Sequence, residues 1–510
     1  MLAKVLSGAT IGLESVPIEV EVDIASSGLP SFTIVGLPDK AVEESRERVR
    51  AAIKNTGADF PTRRITVNLA PADLPKEGPA YDLPIALGIL VASGQIKADL
   101  GDSLVLGELS LDGSLRHVNG ILPMALLVRK KSNLRQIFLP AADAKEAAVV
   151  GGIKIFPVGS LRMLASHLLG LEMIKPQPQT DFQSLISDYQ AEFNMAEVKG
   201  QEHAKRALEV AAAGGHNVFM KGVPGAGKTM LARALPGILP DLTEEEALEV
   251  TKIYSITGNL PTGASIVTQR PFRAPHHTTS RIGLIGGGSR PMPGEISLAH
   301  RGILFLDEFP EFPRHVLEAL RQPIEDGIVQ ISRAAGVASY PAQFILIAAA
   351  NPCPCGYLGD EKRQCRCSPG QIIRYQKRLS GPILDRIDLH LEIPAVKVEK
   401  LTGETSVAED SKSIRRRVQK ARDKQNRRFQ GKKIMNNAEM QIKEIKEFCP
   451  LSADCLNLLR QAVSQMNLSA RGYYRVIKVA RTIADLTGEE KINVTHIAEA
   501  LQYRPRLQEF

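Results

Sequence analysis

The segment Gly222-Val223-Pro224-Gly225-Ala226-Gly227-Lys228-Thr229 matches the pattern G-x-x-x-x-G-K-[ST] at each fixed position. Its glycines let successive backbone N–H groups turn toward an anion, and a helix that begins within it adds a positive dipole end. Residues 216–221 are typical of a short apolar strand, and residues 230–235 have helix-forming composition. A glycine-rich turn can match by accident, but these flanks favour an ATP site in which Lys228 contacts the β- and γ-phosphates and Thr229 binds Mg²⁺.

A second candidate site follows the apolar strand 303–306, which ends in Asp307 and Glu308. In a phosphoryl-transfer site Asp307 would complete the Mg²⁺ shell, and Glu308 would orient and polarise the attacking water. Strand ends are often acidic without any catalytic role. The position of this strand downstream of the phosphate loop favours the catalytic interpretation.

Four of the six cysteines form two C-x-C pairs, Cys353/Cys355 and Cys365/Cys367. Two thiolate pairs separated by a short polar loop can close a tetrahedral zinc site that has no open position for catalysis. The spacing differs from the more common C-x-x-C, and without metal the cysteines are unpaired thiols on a loop. We predict a structural Zn²⁺ site.

The elements that position these residues belong to a chain of 510 residues, which is too long for one core. Hydrophobic residues make up 44% and charged residues 24%, as in ordinary soluble proteins. The 64 Lys and Arg exceed the 56 Asp and Glu by 8, which favours a polyanionic partner only weakly. The sequence shows no signal-peptide pattern, and its apolar runs are shorter than the roughly 18 residues of a membrane span. We expect a cytoplasmic protein that does not contact a membrane.

Periodicity predicts an α/β multidomain chain that ends in helices. In the first part we predict strands at 16–24, 31–35, 64–69, 104–107 and 136–139 and helices at 39–55 and 82–93. The predicted domains are an α/β domain at 1–172, a linker at 173–192, an α/β core at 193–395 with the cysteine insertion at 353–367, and an all-helical lid at 396–510.

The middle region resembles the P-loop core of AAA+ ATPases. Asn351 follows the apolar strand 344–350 and matches the polar sensor of that family. Residues 379–388 resemble the arginine-finger segment of the magnesium-chelatase and MCM-helicase branch, which makes Arg386 the candidate, and Arg471 resembles the second sensor arginine. Taken singly, these could be a strand-capping Asn and salt-bridged surface arginines. A finger supplied in trans implies a ring, because one subunit alone would hydrolyse ATP poorly.

Two segments are candidates for the ring's channel, where cations would meet phosphates: a loop rich in Arg, Gly and Pro, which continues at 286–296, and a hairpin. The first, 269–281, carries His276 and His277, but adjacent residues point different ways and have no acidic or Cys partner nearby, which disfavours a metal site. The second, 325–341, resembles the hairpin before the first sensor; a surface hairpin with a chance arginine is the alternative. With no aromatic run for base stacking, contacts should be to the DNA backbone. The candidate DNA contacts are Arg270, Arg273, Arg281 and Arg333.

The first domain resembles the Lon-protease-like domain through residues 76–80 and 107–115. In Lon-type peptidases a nucleophilic Ser follows the Gly-Pro pair and a Lys base lies beyond the second motif. The corresponding residues here are Ala80 and Leu122, which provide neither hydroxyl nor amine. We expect no peptidase activity, and a role in assembly or substrate contact.

The last region carries eleven Lys or Arg against one acid, Asp423, between residues 412 and 433. Its apolar residues Ile414, Val418 and Ala421 recur at i, i+4 and i+7 and form one narrow stripe. The helix is either a solvated lid helix or an accessory phosphate-binding face.

Taken together, the motif order resembles the ComM/YifB family of magnesium-chelatase-like ATPases. The resemblance implies a hexameric, ATP- and Mg²⁺-dependent DNA motor or helicase. It would promote branch migration of single-stranded or branched DNA during natural transformation, alongside recombination proteins. Composition and spacing alone support an oligomeric ATPase with a basic channel. Two alternatives remain: a magnesium-chelatase-type motor acting on a partner protein, and a nucleotide-switched assembly protein.

Overall fold

The computed structural model describes residues 2–185, 192–261, 263–288, 291–333, 336–360, 362–379, 381–396 and 409–505, with only the backbone of Arg333 and Gly336. The strands are β1 (Leu2–Ile11), β2 (Glu14–Ile24), β3 (Ser31–Val35), β4 (Arg64–Ala70), β5 (Ser103–Val105), β6 (Glu108–Leu109), β7 (Leu115–Arg116), β8 (Gln136–Pro140), β9 (Lys154–Val158), β10 (Val218–Gly222), β11 (Phe272–Arg273), β12 (Gly286–Gly287), β13 (Met292–Pro293), β14 (Ile303–Leu306), β15 (Ile328–Arg333), β16 (Gly336–Pro341), β17 (Ile345–Ala350) and β18 (Leu389–Ile393).

The helices lie between and after these strands. They are α1 (Lys40–Asn55), α2 (Asp82–Ala92), α3 (Ile121–Lys130), α4 (Ala144–Ala147), α5 (Leu161–Leu168), α6 (Phe182–Leu185), α7 (Glu202–Gly214), α8 (Lys228–Ala234), α9 (Glu244–Thr257), α10 (Arg281–Ile285), α11 (Glu295–Leu298), α12 (Arg314–Ala319), α13 (Arg321–Asp326), α14 (Pro369–Gln376), α15 (Gly381–Leu384), α16 (Ser411–Arg428), α17 (Ile442–Phe448), α18 (Ala453–Met466), α19 (Ala470–Thr487) and α20 (Val494–Gln502).

The chain forms two compact units. The first comprises Met1–Ser187 and Glu244–Thr268, and the second comprises Asp188–Thr243 and Gln269–Phe510. The first unit thus includes α9 and the residues after it, although this segment lies within the core predicted at 193–395. The reason is that Leu248 of α9 packs against the apolar cluster that contains Leu122, and the backbone N–H of Gly120 donates to the Ser255 carbonyl at 3.1 Å.

The first unit is built on a seven-stranded sheet in the order β3-β4-β2-β1-β5-β8-β9. β1, β2 and β4 pair antiparallel, and the remaining neighbours pair parallel. Two apolar clusters surround it, one with α1, α2 and α5 and the other with α3 and α4. β1 and β9 lie outside the strands predicted from the sequence, whereas β3 has the predicted bounds.

The second unit contains a five-stranded parallel sheet in the order β11-β14-β17-β10-β18. β14 and β17 are buried over their whole length, as expected for central strands covered on both faces. Because all five strands are parallel, their carboxyl ends meet at one edge, where an open α/β sheet binds its ligands. Three predicted sites, the phosphate loop, the Asp307-Glu308 pair and Asn351, follow β10, β14 and β17 at that edge.

The helices α16 to α20 pack against this sheet in one continuous core. The predicted stripe of α16 is its buried face, since Ile414, Val418 and Ala421 are at most 3% exposed. The mixed α/β fold class, with an α/β first unit, a parallel-sheet core and a helical C-terminal region, is confirmed. The domain limits stay a prediction, and the linker's residues 186–191 lie outside the described part of the chain.

Candidate active site

The phosphate loop connects β10 to α8 with glycines in the left-handed region. Gly225 has φ of 78° and Gly227 has φ of 91°, values that L side chains rarely adopt. The Lys228 ammonium donates to the carbonyl oxygens of Gly222 at 2.6 Å and Val223 at 3.0 Å. It also donates to Asn351 Oδ1 at 3.1 Å, which joins the loop to the end of β17. Burial lowers the pKa of Lys228, and the charge of Asp307 opposes that shift.

Thr229 and Asp307 lie together although 77 residues separate them in the sequence. The Thr229 hydroxyl donates to Asp307 Oδ2 at 2.8 Å. One hydroxyl and one carboxylate beside a phosphate loop are the oxygen ligands that Mg²⁺ takes in nucleotide sites, where waters and phosphates complete its octahedron. These two residues therefore fit the predicted Mg²⁺ site.

Glu308 occupies a left-handed backbone position, with φ of 51°, and its side chain is 52% exposed. Its Oε2 lies 3.1 Å from Nδ1 of His277, a residue to which the sequence assigned no role. The His276 and His277 rings lie 4.0 Å apart between centroids, so the pair packs on itself. His277 thus has an acidic partner 31 residues further along the chain, which the local pattern around 276 does not reveal, whereas His276 Nδ1 lies 2.8 Å from the hydroxyl of Thr278.

Arg386 and Arg471 share one carboxylate. Arg386 donates through one terminal nitrogen to Glu325 Oε2 at 2.6 Å and through the other to the Pro382 carbonyl at 2.6 Å. Arg471, at the start of α19, has a terminal nitrogen 3.0 Å from Glu325 Oε1. The hydrogen bond from Arg386 holds the pKa of Glu325 below its ordinary value. Glu325 was not among the residues predicted from the sequence, because its only local feature is its place before the hairpin β15–β16.

Family models and relatives match nearly the whole chain. The models are magnesium chelatase, subunit ChlI, at residues 194–401, subunit ChlI of Mg-chelatase at 20–143, and the ChlI C-terminal region at 408–504. The competence protein ComM of Haemophilus influenzae is 45% identical over 99% of this chain and 97% of its own length. The uncharacterized protein YifB of Escherichia coli is 44% identical over the same shares, and the magnesium-chelatase 67 kDa subunit of Heliobacterium mobile is 26% identical over 39% of this chain and 34% of its own.

The chain belongs to the ComM/YifB family. Membership in these magnesium-chelatase-like AAA+ proteins implies ATP and Mg²⁺ as ligands. None of the helices described above combines the length and apolar character that a membrane span requires.

The cysteine loop of this ComM/YifB protein brings all four sulfurs together. The Sγ atoms of Cys353, Cys355, Cys365 and Cys367 lie within 4.8 Å of one another. Three of the separations are 3.4, 3.6 and 3.7 Å. A tetrahedral site with Zn–S bonds of about 2.3 Å has sulfurs about 3.8 Å apart. The sulfur separations are therefore close to those of a tetrahedral Zn²⁺ site, and the donor set fits Zn²⁺ on its geometry.

The four candidate DNA contacts of the ComM/YifB chain have different surroundings. Arg270 donates to the carbonyls of Pro240, Arg301 and Asp241, and Arg273 forms a bidentate pair with Glu295 at 2.6 and 2.7 Å. Arg281 is exposed at the start of α10. The side chain of Arg333 lies outside the described residues.

The two residues predicted to occupy the Lon-type catalytic positions lie in one apolar cluster. Leu122 is fully buried in the first turn of α3, and Ala80 packs against the same cluster from a short 3₁₀ turn, Pro79–Tyr81. Two hydrocarbon side chains can neither attack a peptide nor take a proton.

Proposed function

We propose that this protein is an ATP hydrolase that works as a DNA motor. The observation that supports it most directly is the joining of Lys228 to Asn351 and of Thr229 to Asp307 across three strand ends. Thr229 and Asp307 would hold Mg²⁺, which would neutralise the negative charge that develops on the transferring phosphoryl group. The ammonium of Lys228 would move from its carbonyls onto the phosphates, and Asn351 would orient it.

Glu308 would take a proton from the attacking water. The carboxylate is half-exposed at the sheet edge, and its Oε2 lies 3.1 Å from Nδ1 of His277. Arg386 would act as the finger on the γ-phosphate bound by a neighbouring subunit, and Arg471 would link the position of the helical lid to the nucleotide state. Such a trans arrangement requires a closed ring, and we propose a homohexamer.

We propose DNA as the substrate of the motor. A relative with 45% identity carries the name competence protein ComM, and exposed Arg281 lies beside a glycine-rich segment of the same core. The motor would promote branch migration as incoming DNA is integrated by recombination during natural transformation. Other recombination proteins are its expected partners.

The test measures ATP hydrolysis with and without single-stranded DNA, followed by branch migration on a synthetic four-way junction. Wild-type protein should be stimulated by DNA and should resolve the junction only with ATP, whereas Glu308→Gln should bind ATP and DNA and move nothing. Hydrolysis that is indifferent to DNA would reject the DNA motor.

A chelatase-type motor is the second candidate, because the matched models describe magnesium chelatase subunits. Stimulation of hydrolysis by a porphyrin with a partner protein, and not by DNA, would favour it. Full function in the Glu308→Gln variant would instead favour the nucleotide-switched assembly protein.

We also propose structural Zn²⁺ at the four cysteines and no peptidase activity in the first unit. Metal analysis of the purified protein should give one zinc per chain, lost in Cys365→Ser. ATP-stimulated casein cleavage that a serine-directed inhibitor abolishes would contradict the second statement.

A further inference from the structure

The cysteine loop lies directly against the phosphate loop. Gly356, one residue after Cys355, has φ of +85°. A Cβ at Gly356 would lie 2.5 Å from Cγ and 2.7 Å from Cδ of Pro224, the third residue of the phosphate loop. Real side chains do not approach so closely, so glycine permits a contact between the two loops that any other residue would push apart.

The same loop is also tied to Asn351. Cys353 is fully buried two residues beyond Asn351, and its carbonyl accepts from the Gly356 backbone N–H at 3.0 Å. After the last cysteine, α14 returns to the start of the loop. Its buried Tyr375 receives a hydrogen bond from the Asn351 backbone, while burial raises the Tyr375 pKa to about 12. Asn351, which accepts a hydrogen bond from Lys228, therefore precedes the first cysteine in the chain and contacts Tyr375 of the helix that follows the last one.

We propose that the cysteine loop positions the phosphate-binding site, so that metal at Cys353, Cys355, Cys365 and Cys367 controls nucleotide binding and hydrolysis. A metal held by four sulfurs cross-links the two ends of the loop and fixes the backbone at Gly356. That backbone lies against the Pro224 ring and is hydrogen-bonded to the carbonyl of Cys353, two residues beyond Asn351. The inference rests on the proposed ATP hydrolysis.

Gly356→Ala and Gly359→Ala form a matched pair that tests this contact. Gly359 lies in the same loop with φ of +82°, so alanine strains both positions alike, but a Cβ at Gly359 has nothing within 4 Å. With one zinc per chain in both variants, we expect Gly356→Ala to weaken binding of a fluorescent ATP analogue and to lower kcat by about tenfold or more. Gly359→Ala should match the wild type in both measurements.

A double-variant cycle separates this contact from a general loss of fold. Pro224→Ala deletes the Cγ and Cδ atoms that an alanine at 356 would meet, so Gly356→Ala should cost much less in the Pro224→Ala background. Cys365→Ser should lose zinc and show the weakened nucleotide binding of Gly356→Ala.

Equal behaviour of the two glycine variants, or an equal cost of Gly356→Ala in both backgrounds, would overturn the inference. Wild-type nucleotide affinity in zinc-free Cys365→Ser would overturn it as well. If the wild-type protein itself neither binds nor hydrolyses ATP, the proposed function fails, which is a distinguishable result.

Discussion

At the scale of single residues, the Lys228 ammonium is preorganised to bind an anion. Two main-chain carbonyls and one amide oxygen surround it, all neutral acceptors, within a largely buried site. Burial lowers its pKa, and only the charge of Asp307 works against that shift. A triphosphate would supply the negative charge that these neutral acceptors lack. Because the Lys228 ammonium is largely buried, the triphosphate would bind to it more strongly than to a lysine exposed to water.

We predict that Lys228→Ala abolishes most hydrolysis, with a loss of roughly 10²-fold or more in kcat because a preorganised cation is removed from the phosphates. Lys221 on β10 is the matched control. Its ammonium lies 3.9 Å from Glu392, whose side chain is 70% exposed, and such a pair contributes little. Steady-state ATPase assays should find Lys221→Ala near the wild-type rate. Similar losses of activity in both variants would show that Lys228 has no specific role in binding the phosphates.

Glu325 is predicted to position Arg386. Glu325→Gln replaces the ion pair at 2.6 Å by a hydrogen bond from the charged guanidinium to a neutral amide oxygen, and we expect about a tenfold fall in kcat with little change in KM. Asp326→Asn, one residue on at an exposed position, removes the same charge without touching either arginine and should behave as wild type. A wild-type rate for Glu325→Gln would show that Arg386 needs no such partner.

At the scale of elements, a buried carboxylate joins α3 to α4. Glu146 is 5% exposed and accepts from the Leu122 backbone N–H at 2.8 Å in the first turn of α3. Burial raises its pKa from 4.5 to about 7. Because the folded pKa exceeds the unfolded one, the stabilisation is complete below pH 4.5 and is lost as pH rises through 7.

We therefore predict that the free energy of opening α3 falls by about 3 kcal/mol between pH 4.5 and pH 8, at 1.36 kcal/mol per unit of pKa. Hydrogen–deuterium exchange of the α3 amides, corrected for intrinsic rates, measures it. The nearby His117–Asp143 pair also titrates, so the wild type is compared with Glu146→Gln. This variant should lose the part of the pH dependence of the opening free energy that Glu146 contributes. The same pH dependence in both proteins would place the titrating group elsewhere.

At the scale of the whole molecule, the proposed ring makes Lys228 and Arg386 of different subunits one active site. Lys228→Ala keeps its finger and Arg386→Ala keeps its phosphate loop. When the two inactive proteins are mixed in equal amounts and reassembled, we expect roughly a quarter of the wild-type rate, from random pairing of complementary neighbours. No recovery in rings that size measurement shows to be mixed would mean that Arg386 acts within its own chain.

DNA binding by such a ring should depend on salt. If Arg281 contacts a phosphate, Arg281→Ala should reduce the slope of log K against log salt by about one, without changing sequence preference. Arg314 is the control, since its 80% exposed side chain already pairs with Glu318. An unchanged slope in Arg281→Ala would show that Arg281 does not contact a DNA phosphate. Arg270→Ala should act differently, by destabilising the core, because its guanidinium satisfies three carbonyls.

Local patterns were enough to predict much of the chemistry. Glycine spacing, an apolar strand with an acidic end and two C-x-C pairs each depend on neighbours in the chain, and the sulfurs indeed meet. The α16 stripe became a buried face because its period of i, i+4 and i+7 leaves only one side of a helix apolar. The fold class was likewise readable, since buried parallel strands are continuous apolar runs.

Contacts between distant segments were decided only by the tertiary structure. His277 contacts Glu308, and Glu325 contacts both Arg386 and Arg471. Gly356 lies against Pro224. Each contact joins segments that are brought together by the order of the strands in the sheet, which a local sequence pattern does not encode. The same holds for α9, which lies in the sequence within the predicted 193–395 core but belongs to the first compact unit, where Leu248 packs against the cluster that contains Leu122. Sequence by itself determined which groups carry charge, thiols or flexible backbone. Packing of the sheet and helices determined which of them lie within bonding distance.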